Sequence, residues 1–344
     1  MNTVLLNTVN LDGGKFIIKK GGTSGGGGES GGGGGVVIPS RPKWTGHADA
    51  DGLRAIGWTE DDIAYYQEHG VNWNAEDDQY HLVSEDNKAL YGVLTASNIS
   101  TYKDRIVYLP KISLGSKTNL SKFLNECHSL VAIPQLDTQN VTDMSQMFGY
   151  CRSLVTIPQL DTQNVTNMGN MFNDCRSLVG VPQLDTQNVA GMTKMFYQCY
   201  SLVDVPLFNT QNVTNMSYMF YYCYSLVTIP QLDTQKVTNM GKMFYQCFSL
   251  VSVSELNIQG VTTISNMLYE CNLLNTIRLK NIAITCSLNK SKFLNKESLL
   301  YIINNEAATS AITITLASAA YSRLAGDTDI VAALAAHPNI SISQ

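Results

Sequence analysis

The chain has 344 residues, of which 44% are hydrophobic and 15% charged, and its formal net charge is −5. A chain of this length can bury a substantial core, and so low a charged fraction excludes a wholly disordered protein. The mild acidity gives no electrostatic reason to expect nucleic acid or an anionic membrane as a partner. No apolar run approaches the roughly 18 residues that a membrane-spanning helix needs, so we expect no membrane insertion.

Residues 1–20 predict a β-hairpin that serves as an attachment segment. Apolar and polar residues alternate in TVLLNTVNLDGGKFIIKK, and Asp12, Gly13 and Gly14 form the turn between them. A lone hairpin is marginally stable, so we expect it to pair with a partner or with another copy of the chain. The N-terminus has no basic region, long apolar stretch or small-residue cleavage site, so we expect no secretory signal.

Residues 21–35 contain eleven glycines among fifteen residues and predict a flexible linker. The Lys-Ser/Thr pair and the following helix of a phosphate-binding loop are missing, and packed polyglycine helices are the remaining alternative.

Residues 36–104 predict a small, partly helical module. Within it, WTEDDIAYYQEHG has a helix-start signal at Thr59 and Asp62 and a stop at Gly70.

A 24-residue repeat fills the centre of the chain. Seven of the eight cysteines recur at this interval, most of them in the phrase M-x-x-M-F-x-x-C: Cys127, Cys151, Cys175, Cys199, Cys223, Cys247 and Cys271. Seven full units span residues 105–272, and a decayed eighth unit covers residues 273–296. Because one unit cannot bury its apolar residues alone, neighbouring units must stack into a solenoid.

Each unit predicts a short strand, a turn and a short helix. Leu202 and Val205 precede Pro206, as in a strand that a proline ends. The second half of the unit has its apolar residues at i, i+3, i+4 and i+7, one face of a helix: Met216, Met219, Phe220 and Cys223. The predicted fold class is an α/β solenoid over residues 105–296, a leucine-rich-repeat-like stack of about seven coils. Residues 297–344, which hold two helical segments around the strand AITITLA, predict a C-terminal α/β cap.

The cysteines predict a ladder of buried free thiols, because each occupies an inward position of its unit. Disulfides between adjacent coils are an alternative, although stacked side chains point in parallel. A metal site is not expected, because there is no C-x-x-C motif and no histidine at ligand spacing.

We find no nucleophile–base set and no paired acids, so we expect neither an enzyme nor a cofactor.

Comparison of the units separates constant core positions from positions that change freely and therefore face solvent. Aromatic residues collect at the changing positions of three consecutive units: Tyr197, Tyr200, Tyr218, Tyr221, Tyr222, Tyr224, Tyr245 and Phe248. Tyrosine offers a large contact area at low entropy cost, so these residues are our candidate ligand-binding site. The alternative is that the rings only pack on one another along the surface.

The pattern LDTQNVTNMSxMFxxCxSL resembles the BspA-like leucine-rich repeat family, in the variant first noted in Mycoplasma surface lipoproteins. The resemblance covers about half of the chain. It implies a right-handed solenoid that binds surfaces or proteins, with relatives that are secreted or surface-anchored. A second stretch, GHADADGLRAIGWTEDDIAYYQ at residues 46–67, is similar to tail-fibre-like proteins of phages of gut Bacteroidales.

Together the two resemblances imply a phage tail fibre or receptor-binding protein of the virion tail. Its N-terminal region would bind other virion tail proteins, and its solenoid would bind a glycan or protein receptor on the bacterial surface. Such fibres are usually homo-oligomers, most often trimers, although no coiled-coil heptads enforce this state here. The alternatives are a bacterial cell-surface adhesin exported without a classical signal, and a structural virion component that binds no receptor.

Overall fold

The computed structural model describes residues 6–12, 15–20, 71–74, 79–83, 89–90, 103 and 114–344. Strands β1 (Leu6–Asp12) and β2 (Lys15–Lys20) pair antiparallel, in keeping with the alternating pattern of the first 20 residues. The glycine linker and the helix predicted between Thr59 and Gly70 lie outside the described residues.

The small module contains a sheet that the sequence pattern did not indicate. Strands β3 (Val71–Asn74), β4 (Gln79–Val83) and β5 (Ala89–Leu90) form a three-stranded antiparallel sheet with β4 in the middle. The strands are only two to five residues long, too short for the alternation to outweigh the helix signal.

Residues 114–295 wind as a stack of 24-residue coils. Parallel bridges join each position to its equivalent one period later, in the series Asn119, Asp143, Asn167, Gly191, Asn215, Asn239 and Thr263. Toward the C-terminus the pairing lengthens into β6 (Ser252–Asn257) and β7 (Thr276–Lys280), which are parallel neighbours. The chain therefore forms a repeat solenoid.

The short helix predicted in each coil is wrong. No α-helix is present in residues 114–295, and the phrase M-x-x-M-F-x-x-C is a run of β-turns. In the coil that ends at Cys223, Tyr218 and Tyr222 have φ of 59° and 62°. The N–H groups of Met219, Tyr221 and Cys223 donate to carbonyls three residues earlier. A positive φ at the third turn position is typical of a type II turn.

The spacing of the coils explains why turns replace the helix. Alternate N–H groups of the turn run donate to the next coil: Tyr218 N to Gly241 O at 3.0 Å and Phe220 N to Met243 O at 2.9 Å. An α-helix satisfies its N–H groups internally and is about 10 Å wide with its side chains. That width is about twice the roughly 4.8 Å between hydrogen-bonded strands. A helix in every coil would not stack at this spacing, whereas a turn run does.

The strand predicted before each proline is also shorter than expected. In the earlier coils it is reduced to single backbone bonds, such as Val203 N to Val179 O at 3.1 Å. Proline has no N–H to donate to a neighbouring strand. The first full strand of the solenoid, β6, lies in the coil where Ser254 occupies the proline position. Loss of the proline thus removes one obstacle to strand pairing, and the register of β6 and β7 shifts at Ser254 itself.

The inward positions of the repeat are buried as the apolar pattern predicts. The methionines, phenylalanines and leucines of the repeat phrase have almost no exposed surface. The rings of Phe148, Phe172, Phe196, Phe220 and Phe244 form one stack with centroids 5.4–5.7 Å apart. A spacing of i, i+3, i+4 and i+7 therefore identified the correct inward residues, although the backbone that carries them is not helical.

The prediction of buried free thiols is confirmed for all eight cysteines. From Cys151 to Cys271 each Sγ donates to a carbonyl of the preceding coil at 3.0–3.1 Å. Phe220 O, for example, accepts both Cys223 N and Cys247 Sγ. Burial raises the pKa of these thiols, to about 12 for Cys271, so they stay protonated and remain donors.

An α/β unit covers the C-terminal end of the stack. Strands β8 (Cys286–Leu288), β9 (Ile312–Leu316) and β10 (Ile340–Ser343) form a parallel sheet in the order β10-β9-β8. Helices α1 (Lys296–Asn304), α2 (Ser318–Leu324) and α3 (Thr328–Ala336) complete it. The sequence indicated α1, β9 and α3 but not α2 or β10. Because β8 belongs to the last coil, the sheet joins the cap directly to the solenoid.

A comparison of glycine and alanine at one turn position tests the turn geometry. Gln198 has φ of 60°, and its N–H donates to Tyr221 O at 2.7 Å. At a left-handed position glycine is favoured over alanine by about 1 kcal/mol. In a helix the order is reversed, by about 1 kcal/mol. We therefore expect Gln198→Gly to be more stable than Gln198→Ala in urea denaturation. The opposite order would contradict the turn run.

The buried thiols predict a loss of stability at alkaline pH. A thiol has a pKa of about 8.5 in the unfolded chain, and burial raises it in the fold. The unfolded state therefore releases protons first, and stability falls as pH rises above about 8.5. Each thiol lowers the free energy of unfolding by about 1.4 kcal/mol per pH unit. We expect Cys247→Ala to reduce the slope between pH 9 and 10 by about this amount. An unchanged slope would argue against buried, protonated thiols.

Candidate functional site

The eight aromatic side chains predicted as a site lie together on one side of the solenoid. With one further residue they form a continuous surface, which we call the aromatic ridge: Tyr197, Tyr200, Tyr218, Tyr221, Tyr222, Tyr224, Tyr245, Phe248 and Tyr269. Tyr269 extends the ridge by one coil and was not among the predicted residues. It occupies the same repeat position as Tyr245, so the repeat comparison contained the signal for it.

Two parallel stacks of rings make up most of the ridge. The first stack runs through Tyr197, Tyr221, Tyr245 and Tyr269, with centroids 4.7–4.9 Å apart. The second stack runs through Tyr200, Tyr224 and Phe248, with centroids 4.9 and 5.1 Å apart. These distances match the coil spacing of roughly 4.8 Å. The backbone hydrogen bonds between coils therefore set the ring spacing.

Tyr218 and Tyr222 belong to one coil and join the stacks at its centre. The Tyr222 ring lies 4.2 Å from that of Tyr221 and 5.6 Å from that of Tyr224. The Tyr218 ring lies 5.5 Å from that of Tyr221 and is tilted by 52°. Both residues have positive φ, where a bulky side chain is uncommon. This coil is the only described one with tyrosine at both of its left-handed positions.

The stacked rings present edges and hydroxyl groups to solvent. In the two stacks the ring planes differ by only 2–18°, so the face of each ring is covered by its neighbour in the next coil. Burial, more than the neighbouring hydroxyls, raises the pKa of Tyr197, Tyr221, Tyr224 and Tyr245. The hydroxyls therefore stay neutral at ordinary pH and both donate and accept hydrogen bonds.

Two lysines flank Tyr218, one in each neighbouring coil. Lys194 Nζ lies 5.4 Å from the Tyr218 centroid and 5.5 Å from that of Tyr197. Lys242 Nζ lies 5.4 Å from the Tyr218 centroid and 5.9 Å from that of Tyr245. An ammonium group at this distance is attracted by the ring quadrupole. Both lysines occupy the same changing position as Tyr218, yet the sequence prediction selected only the aromatic residues.

Two arginines and one aspartate close the N-terminal end of the ridge. Asp174 accepts from Arg152 Nε at 2.9 Å and from Arg176 Nε at 2.6 Å, and its side chain is only 2% exposed. The Arg176 guanidinium also lies 5.4 Å from the Tyr200 centroid. The Asp174 carboxylate thus holds both arginines. They occupy the repeat position that holds Tyr200 in the next coil.

Half a period away, the other side of the coil is polar and acidic. Gln159 Nε2 donates to Gln183 O at 2.6 Å, and Gln183 Nε2 donates to Leu207 O at 2.7 Å. Exposed Asp185 and Asp233 stand next to this glutamine row. A shallow groove of about 780 Å³ surrounds Leu207, the residue that interrupts the row. Leucine is 59% exposed here and was not singled out by the repeat comparison.

Two further properties concern the described part of the chain alone. No group of three or more His, Cys, Asp or Glu side chains in it is arranged to hold a metal ion. Its helices are all too short to cross a membrane.

The contacts define a class of protein: a solenoid of 24-residue coils that carries a surface of half-buried, stacked tyrosines. A family model described as "Mycoplasma protein of unknown function, DUF285" matches residues 118–226 and 202–293, which together span just over half of the chain. The chain belongs to this family. No curated protein matches the sequence.

Several solved structures are similar at low identity. A leucine rich repeat protein of T. pallidum is 15% identical, with a TM-score of 0.32 over 66% of this chain and 92% of that chain. The plant peptide hormone receptor RGFR1 in complex with RGF2 is 10% identical, with a TM-score of 0.30 over 71% and 47%. The TLR13–ssRNA13 complex is 10% identical, with a TM-score of 0.16 over 66% and 52%.

Removal of both arginines should destabilise the fold, because it leaves a buried carboxylate unpaired. We expect Arg152→Gln with Arg176→Gln to cost about 3 kcal/mol in urea denaturation. Addition of Asp174→Asn should restore most of this loss, since the buried charge is then gone. Lys117→Gln with Lys236→Gln removes the same charge from exposed positions and is the control. A triple variant no more stable than the double variant would contradict the role of Asp174.

Proposed function

We propose that this protein is a receptor-binding protein of the phage tail-fibre kind. Its solenoid recognises a glycan or protein on the bacterial surface, and its N-terminal region binds other virion tail proteins. The observation that carries the proposal is the aromatic ridge. Tyrosine combines a large contact area, low entropy cost and a polar hydroxyl, which is why recognition surfaces are rich in it.

The strongest support comes from tyrosine at left-handed backbone positions. Tyr218 and Tyr222 have positive φ, and apart from Tyr150 the equivalent positions of other coils hold glutamine, asparagine, lysine or acidic residues. The coil geometry therefore does not require an aromatic ring at either position. Sparsely populated backbone conformations cluster at functional sites, where the surroundings hold them in place. Selection for binding would explain why one coil has two bulky rings at costly positions.

The attachment half of the proposal rests on the N-terminal residues. Residues 46–67 are similar to tail-fibre-like proteins of Bacteroidales phages, and β1 and β2 form a hairpin that is marginal alone. A partner or a further copy would stabilise it, so we propose a homo-oligomer, with a trimer favoured. Several copies also add avidity to weak single sites.

A bacterial cell-surface adhesin is the second candidate. The observation that favours it is the description of the matching family as a Mycoplasma protein, because this places relatives in a bacterium. The ridge would then bind a surface outside the producing cell. The two candidates share the recognition site and differ in what the N-terminal region is attached to.

Substitution within the ridge tests the proposal. Fluorescently labelled full-length protein is added to a panel of gut Bacteroidales strains, and saturable binding is measured together with competition against phage adsorption. We expect Tyr221→Ser with Tyr224→Ser to weaken binding at least about tenfold, because central aromatic residues dominate recognition energy. Tyr150→Ser, which removes an exposed tyrosine outside the ridge, is the matched control.

Stability measured in parallel separates binding from packing. Loss of stacked ring pairs costs roughly 1–3 kcal/mol in total, so urea midpoints are recorded for both variants. If the double variant is less stable but binds with the parent's affinity, the ridge is a packing feature and the proposal is wrong. If binding needs the ridge but phage adsorption is unaffected, the adhesin is favoured over the tail fibre.

A further inference from the structure

We propose that the ligand of the aromatic ridge is an anionic polymer, such as an acidic glycan, and that Lys194 and Lys242 bind its anionic groups. This inference rests on the proposed function and names the class of ligand. It adds Lys194 and Lys242 to the site, which the repeat comparison left out. It follows from the positions and contacts of these two ammonium groups on the ridge.

The two ammonium groups are held in place before any ligand binds. Each lies between two tyrosine rings, at 5.4–5.9 Å from the centroids, and they share Tyr218 between them. Both side chains are partly buried. Long lysine side chains normally lose rotamer freedom when they bind, and this cost is reduced when neighbours already restrict them.

Within the described part of the chain, neither ammonium group has a carboxylate partner. Among the described residues, no acidic oxygen lies within 4 Å of Lys194 or Lys242, whereas Arg152, Arg176 and Lys296 all form ion pairs. A tyrosine face attracts a cation but accepts no strong hydrogen bond from it. Each ammonium group therefore keeps donors for an anion, and a charge-assisted hydrogen bond is about twice as strong as a neutral one.

The spacing of the charges suits a polymer. Lys194 and Lys242 occupy the same position two coils apart, which corresponds to about 10 Å along the solenoid axis. Tyr218 lies between them in the same column, and the neighbouring column of Tyr197, Tyr221 and Tyr245 repeats once per coil. An extended chain that lies along the ridge would meet ammonium groups in one column and tyrosines in both. Because most ring faces are already covered, recognition by edges and charges is favoured over stacking of a neutral sugar.

One other side of the solenoid disfavours an anion. Exposed aspartates form a row half a period away, at Asp137, Asp161, Asp185 and Asp233, and the whole chain carries a net charge of −5. A polyanion is repelled by that side and attracted to the ridge, so the charge distribution orients its approach.

The test uses the full-length protein with immobilised polygalacturonate as the acidic probe and dextran as the neutral one. We expect saturable binding to polygalacturonate that weakens at least about fivefold between 50 and 300 mM salt, because salt screens exposed charges. We expect no measurable binding to dextran. Equal binding to the two polymers, or no binding to polygalacturonate, would overturn the proposal.

A charge-matched pair of variants assigns the binding to the two lysines. Lys194→Gln with Lys242→Gln should weaken binding to polygalacturonate at least about tenfold, which corresponds to loss of charge-assisted contacts. Glutamine already occupies this left-handed position at Gln146, so the fold tolerates it. Lys117→Gln with Lys236→Gln removes the same charge off the ridge and should change binding less than about twofold. Equal loss in both variants would mean a non-specific charge effect and would refute the site.

The cell-binding assay separates this inference from the function beneath it. If the tyrosine variant loses cell binding while the lysine variant binds cells like the parent, receptor recognition stands and the anionic ligand is wrong. If both variants bind cells like the parent, the ridge is not the receptor site and both proposals fail.

Discussion

The hydrogen bond from a left-handed turn residue to the next coil is the interaction on which the rest of this structure depends. It occurs twice in most coils, as in Tyr218 N to Gly241 O and Tyr222 N to Tyr245 O. It fixes the distance between coils at the spacing of a β-ladder. That distance also sets the spacing of three other sets of contacts: the stacked phenylalanines inside, the thiol-to-carbonyl bonds and the stacked tyrosines outside.

The left-handed turn residues have a conformational cost that other interactions in the stack offset. A left-handed residue other than glycine costs roughly 1–2 kcal/mol, and two recur in each of the seven coils from Lys122 to Glu270. Glycine would remove the cost but would leave this side of the solenoid without side chains at those positions. Burial of the inward side chains and backbone hydrogen bonds to both neighbouring coils offset this cost. The outward positions are thereby free to carry binding chemistry.

Much of the fold was readable from the sequence because the repeat supplies its own comparison. The period located the coils, and the constant apolar positions identified the core, including residues such as Met216 and Cys223. The local backbone was not readable. A turn run and a short helix both direct the residues at i, i+3, i+4 and i+7 toward the core. Only the distance to the next coil excludes the helix, and this distance is not a local property of the sequence. For the same reason the lysines were missed: Lys194 and Lys242 gain meaning only when Tyr218 stands between them.

The identical contacts between coils make each 24-residue unit exchangeable. A unit meets its neighbours through the same Cys, Phe and Met positions whichever unit lies above or below it. Duplication, deletion or reordering of a unit within the gene would therefore preserve the core and shift the outward residues by one coil. Unequal recombination between near-identical segments provides such rearrangements without point mutation. A protein built in this way can change what it recognises through rearrangement of its parts while its fold stays the same.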